Sequence, residues 1–170
     1  MAKFLAGLVI GVCLIPVAAF IFLSLGLAPV ATSAPPLPLE RQLARTALKA
    51  RLAKEATAEP SIPVSESNLI SGAMTYRQHC AACHGYGSGQ ESAISKGMFP
   101  QPPQLLIGKG VTDDPPGDIY WLAVNGIRLT GMPGFRGTLT EEQLWQVSLL
   151  LANADKLPAN VRSMLATPAP

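Results

Sequence analysis

The distribution of apolar and polar positions divides the chain into a membrane-length segment, a polar connection and a helical domain. Phe4 to Ala31 is a run of 28 residues without a charge. A helix of about 20 predominantly apolar residues crosses a bilayer core of about 30 Å, so this run is long enough to span with some tilt. Gly7, Gly11, Pro16 and Gly26 are tolerated in such a helix, with a kink expected at Pro16. Pro29 to Pro38 then reads as an extended stalk. Residues 39–58, rich in Ala, Leu, Lys, Arg and Glu, have the propensity of a helix. Its apolar stripe of Leu43, Ala47, Leu48 and Leu52 is thin, which suits a solvated spacer first, with a helix lying on lipid or packed on a partner as the alternatives. Residues 59–66, with Pro60 and Pro63, form a second linker.

Helical periodicity returns at 67. Ser67 or Asn68 can cap a helix that runs to His79 with Leu69, Ile70, Ala73 and Tyr76 on one face. Residues 85–117 are rich in Gly and Pro and are expected to be mostly loop. Asp118 to Val124 predicts a short helix ended by Asn125-Gly126, and Gly131-Met132-Pro133-Gly134 a tight loop. Thr140-Glu141-Glu142-Gln143 is a capping box. It opens a helix to about Leu151 that is apolar at Leu144, Val147, Leu150 and Leu151, with Pro158 as the stop. No strand and no internal repeat are apparent. The expectation is all-α, with an anchor at 1–34, a stalk and linker helix at 35–66, a domain at 67–157 and a disordered tail at 158–170.

Apolar residues make up 48% of the 170 and charged residues 14%, an excess that sits at the N-terminus. The net charge of +2 is uneven: residues 1–66 hold six basic and four acidic groups, residues 67–157 six and seven. Nothing in this distribution resembles a nucleic-acid footprint. A cleaved secretory signal would have an apolar region of only about 7–15 residues. A small-residue site does end at Ala34, but Pro35 would follow the cut, so an uncleaved anchor is favoured. A lipoprotein reading at Cys13 is poor because bulky Val12 precedes it. Lys3 and the amino terminus are the only positive groups before the span, whereas Arg41, Arg45, Lys49, Arg51 and Lys54 follow it. By the positive-inside rule that second cluster would be cytoplasmic. The cluster lies some way past the span and is interleaved with acids, so the orientation is left to the chemistry of the domain.

That chemistry is concentrated in Cys80-Ala81-Ala82-Cys83-His84, the C-x-x-C-H pattern of covalent haem attachment. Two thiols one helical turn apart can add across the two vinyl groups of one haem, and the histidine beside them can reach the iron. A structural zinc site needs two more ligands at matching spacing. The chain has three Cys and two His in all, and Cys13 lies in the apolar run. A dithiol oxidoreductase would want a βαβ context, which the pattern lacks. Attachment of this kind in bacteria belongs to the compartment beyond the inner membrane, so the domain is expected in the periplasm.

Haem iron held by one histidine needs a partner on its other face. Candidates are Met74, Met98, Met132, Met164 and His79. His79 is adjacent to Cys80, Met74 lies in the helix leading into the motif, and Met164 is in the tail. Met98 is 14 residues past His84, a short excursion around a porphyrin edge. Met132 is 48 residues past it in a Gly-flanked, Pro-braced loop with no helical face to fill, and is the favoured ligand. A His/Met pair raises the potential relative to two histidines. Leu105, Leu106, Ile107, Phe99, Tyr120, Trp121, Leu129 and Phe135 are candidates to wall the haem.

Over residues 67–155 the pattern resembles a class I monohaem cytochrome c of the bacterial membrane-anchored type. Gly72 and Tyr76 match the glycine and aromatic of that family's first helix, Pro103-Gln104-Leu105 its Pro-x-Leu segment and Gly131-Met132-Pro133-Gly134-Phe135 its distal methionine loop. The resemblance implies close helix crossing at Gly72 and a hydrogen bond from the second nitrogen of His84 to the Pro103 carbonyl. The last helix of the family often carries an aromatic facing the first; Leu149-Leu150 occupy that region here, with Trp145 as a substitute. The implied function is one-electron transfer by a single covalent haem c in a periplasmic chain, by a carrier that is not itself an enzyme. Its partners would be redox proteins and the lipid bilayer. The alternatives are a tethered cytochrome subunit of a membrane oxidoreductase complex, and a haem sensor or enzyme with an open distal site.

Overall fold

A computed structural model describes residues 1–167. Among the described residues eight helices follow in order: α1 (Ala2–Ser24), α2 (Glu40–Glu55), α3 (Glu66–His79), α4 (Ala81–His84), α5 (Ala93–Lys96), α6 (Pro116–Asn125), α7 (Glu141–Ala152) and α8 (Ala159–Ala166). Among the described residues the one β feature is an isolated bridge between Arg136 and Leu139. The fold class is all-α, as expected. The chain separates into two compact units, the first Met1–Arg41 and the second beginning at Gln42.

In the first unit α1 is apolar all round, buries no residue and is long enough to cross a membrane. A helix with apolar side chains on every side and no protein packed on it suits a membrane anchor. It ends at Leu25, beyond which Gly26 takes φ +68.

Most of α2 belongs to the second unit, and the helix buries no side chain, as a solvated spacer would. The linker after it packs on the start of α6: a Cβ on Gly117 would lie 2.6 Å from the carbonyl oxygen of Ala58. The cap of α3 is Ser65, two residues before Ser67 and three before Asn68, the two positions expected. Its extended backbone lets the hydroxyl accept from Asn68 N–H at 3.3 Å. The capping box of α7 is complete, with Thr140 N–H donating to Gln143 Oε1 at 2.9 Å and Gln143 N–H to Thr140 Oγ1 at 3.2 Å.

The core forms where α3 and α7 cross. Leu69, Ala73 and Tyr76 of α3 meet Val147, Leu150 and Leu151 of α7, each leucine or valine contributing about 1.5–3 kcal/mol relative to exposure. At Gly72 a Cβ would collide with the Gln146 backbone carbonyl, so only glycine permits this approach. Trp145 does not take the place of a crossing aromatic. It stacks on Tyr120 of α6 with centroids 4.0 Å apart and planes at 12°, while Leu150 sits at the crossing. A smaller cluster of Val124, Leu139 and Leu144 joins α6 to α7.

The expectation of a tail from 158 onward is corrected over residues 159–166. Pro158 there opens a helix instead of only ending one, and Val161 and Leu165, four residues apart, both bury into the main core. Asn160 Nδ2 also donates to Glu66 Oε1 at 2.7 Å. Residues 168–170 of that tail lie outside the described residues.

Candidate functional site

The first wall of the site is built by the junction of α3 and α4. Cys80 closes α3, its N–H donating to the Tyr76 carbonyl at 2.8 Å, and is followed at once by the single turn Ala81–His84. Cys83 N–H and His84 N–H both donate to the Cys80 carbonyl, at 3.1 and 2.9 Å, which sets the two thiols one turn apart. Gly85 then reverses the chain at φ +77, a conformation that favours glycine. The buried Tyr76 hydroxyl donates to the Gly85 carbonyl at 2.8 Å and fixes that reversal to α3.

His84 Nδ1 lies 2.9 Å from the Pro103 carbonyl oxygen. A carbonyl can only accept, so Nδ1 carries the proton and Nε2 is left with its lone pair for a metal. Burial lowers the pKa of His84 from its ordinary value and the Pro103 contact opposes that shift. The neutral imidazole is the form that binds iron.

The second wall is the segment between α6 and α7. Gly126 ends α6 at φ +67, and a Cβ there would lie 2.7 Å from the Met132 carbonyl oxygen. The chain then loops out through Leu129, itself at φ +61, and returns to α6, where Phe135 N–H donates to the Ala123 carbonyl at 2.9 Å and Arg136 N–H to Val124 at 3.2 Å. Met132 is held within the loop: its N–H donates to Thr130 Oγ1 at 3.1 Å and its carbonyl accepts from Ile127 N–H at 3.2 Å. His79 meets Phe135 edge-on, with centroids 5.8 Å apart and planes at 68°.

Between these walls is a cavity of ≈ 210 Å³ lined by His79, Cys80, Cys83 and His84, by Met98 and Met132, and elsewhere mostly by apolar side chains. Two thiols, two imidazoles (His84, whose Nε2 is left free by its bond to Pro103, and His79) and thioether sulfur in an apolar slot suit a flat apolar iron porphyrin. No group of three or more His, Cys, Asp or Glu that could hold a bare metal ion occurs among the described residues. The family comparison agrees with the site. The model described as cytochrome c oxidase, cbb3-type, subunit III matches residues 67–149. Residues 67–149 are a class I-like c-type cytochrome haem domain. The cofactor of such a domain is covalently bound haem c with its iron, and its chemistry is haem-based electron transfer.

No curated protein matches the chain. Among solved structures, a chain of the Kuenenia stuttgartiensis reducing HAO-like protein complex is similar at 20% identity with a TM-score of 0.48. The similarity covers 57% of this chain and 49% of that one, so this chain spans about half the length of its structural neighbour.

The haem domain also argues against a dithiol redox pair. Burial first, and then the neighbouring Cys83, push the free Cys80 thiol up to about 12. Reactive C-x-x-C thiols have values moved the other way, so Cys80 is not a ready thiolate at neutral pH.

The structure brings together Cys80, Cys83, His84, Pro103, Leu105, Met132 and Phe135 around the cavity. It does not bring Tyr120 or Trp121 there. Ile119, Leu122 and Ala123 line the cavity from α6, and residues at that spacing share one helical face. Tyr120 points instead into its stack on Trp145. Trp121 is half-buried off the cavity, its carbonyl accepting from Asn125 Nδ2 at 2.9 Å. Leu106, Ile107, Phe99 and Leu129 are not lining residues either, and Leu129 is 94% exposed. Lining residues not anticipated include Ile127, Thr130, Val147 and Leu151. The apolar stripe of α7 carried the signal for the last two; the loop residues had none.

Proposed function

We propose that the protein is a membrane-tethered one-electron carrier, with haem attached through Cys80 and Cys83 and its iron held between His84 and Met132 in the periplasm. The observation that carries this reading is the pairing of an imidazole oriented by the Pro103 carbonyl, 2.9 Å away, with a backbone-braced Met132 on the same apolar cavity. Bound there, haem iron supplies a one-electron couple between its ferric and ferrous states. Pro103 keeps the tautomer of His84 that binds iron through Nε2. Met132 would hold the iron on the face opposite His84 and so would keep substrate from it. The apolar walls exclude water and disfavour the more charged ferric form, which together with the thioether raises the potential.

Met98 is the rival thioether. Its methyl fills the space a Cβ would need at Gly131, which supports a packing role, whereas the backbone of Met132 is fixed at both its N–H and its carbonyl. Potentiometric titration separates the two. Met132→Ala is expected to lower the midpoint by on the order of 0.1 V, within the ≈ 0.8 V range that axial ligands command. Met98→Leu is expected to leave it close to wild type. The reverse pattern would reassign the ligand.

A second reading is favoured by the description of the matching family model, a subunit of an oxidase. In it the chain is the tethered cytochrome subunit of a membrane oxidoreductase complex. Purification in mild detergent distinguishes the two: a stoichiometric partner supports the subunit, and a lone haem protein supports the carrier.

A further inference from the structure

Among the described residues Thr130 is the one hydroxyl that lines the cavity, and it lies two residues before Met132. Its Oγ1 donates to the Ile127 carbonyl at 2.7 Å and accepts from Met132 N–H at 3.1 Å. Ile127 N–H in turn donates to the Met132 carbonyl at 3.2 Å, so residues 127 and 132 are tied through the hydroxyl and directly. Between them Leu129 stands at φ +61 with its side chain in solvent. A leucine gains nothing from that backbone conformation, so the loop must be held in it by other contacts. The hydroxyl of Thr130 supplies two of them.

We propose that Thr130 is a positioning residue: its hydroxyl presets the Met132 loop and thereby keeps the sixth coordination position closed to added ligands. This rests on the His84/Met132 reading above. Thr130 touches Met132 through the backbone and acts on the iron only through it. Without the hydroxyl the Met132 N–H loses this acceptor in a partly buried place, and the closed loop is disfavoured relative to an open one.

The test is titration of the ferric holoprotein with imidazole, followed by loss of the weak long-wavelength band that marks a thioether on ferric haem. Thr130→Val keeps the volume and removes both bonds. It is expected to bind imidazole about 5-fold more tightly than wild type, the effect of about one neutral hydrogen bond. Thr130→Ser keeps the hydroxyl and is expected to stay within about 2-fold of wild type. Ser148→Ala is a control for general destabilisation, since it removes a buried hydroxyl that donates to the Leu144 carbonyl at 2.7 Å within α7. It should lower the melting temperature and leave the imidazole affinity unchanged. If valine yields no holoprotein, Thr130→Ala also lacks the hydroxyl and is held to the same increase.

An affinity in the hydroxyl-free variant equal to wild type overturns the proposal while leaving the ligand reading intact. So does an equal gain in Ser148→Ala. A wild-type protein without the thioether band overturns the ligand reading and this inference with it.

Discussion

Tyr76 has no exposed surface, and its hydroxyl donates to the carbonyl of Gly85, the residue that turns the chain away from His84. Burial raises its pKa well above the ordinary phenol value of 10.0. The folded protein therefore keeps this proton at a pH where the unfolded chain has lost it. Stability from this group is complete below about pH 10 and falls above it by about 1.4 kcal/mol per pH unit. Tyr76→Phe is expected to cost about 1 kcal/mol at neutral pH, for the lost hydrogen bond, and to flatten the alkaline fall. Urea midpoints measured from neutral to strongly alkaline pH check both effects. An identical slope in the two proteins would mean that the phenol titrates alike in both states. At this scale the proximal side was legible: the spacing of Cys80, Cys83 and His84 is local, and the Pro103 contact was implied by the family resemblance. Tyr120 and Trp121 were not, because aromatic character alone does not say which face of α6 turns to the cavity. The i, i+3, i+4 set Ile119, Leu122 and Ala123 decides that.

The elements that hold the site were legible wherever periodicity and caps coincide. α7 carries both a capping box and an apolar stripe, and its start follows Thr140 as the pattern implied. α8 was missed because two apolar positions in a short segment near Pro158 give little periodicity to read. Its stability comes from Val161 and Leu165 in the core, a tertiary effect. Val161→Ala is therefore expected to destabilise the haem domain by about 1–3 kcal/mol, measured as a lowered urea midpoint at unchanged slope. A midpoint equal to wild type would restore the picture of a free tail. The Met132 loop was legible as a tight turn, but its bracing by Thr130 was not. That network depends on a backbone path with Leu129 at positive φ, which no residue pattern announces.

For the whole molecule, an apolar helix with no buried residue precedes a domain whose core forms at the crossing of α3 and α7. Such a chain is expected to stay with the membrane fraction through salt washing and to release only with detergent, because burial of α1 in lipid is insensitive to ionic strength. The charge pattern and the haem motif disagreed about orientation. If the domain lies in the periplasm, protease added to intact spheroplasts removes the haem domain; protection in spheroplasts and digestion only after lysis would favour the basic cluster instead. The most direct test of the central claim is the near-infrared magnetic circular dichroism of the ferric protein purified from membranes. An imidazole and a thioether on one low-spin haem give a charge-transfer band at the position characteristic of His/Met ligation. A bis-histidine position, or a high-spin spectrum at neutral pH, would contradict the account.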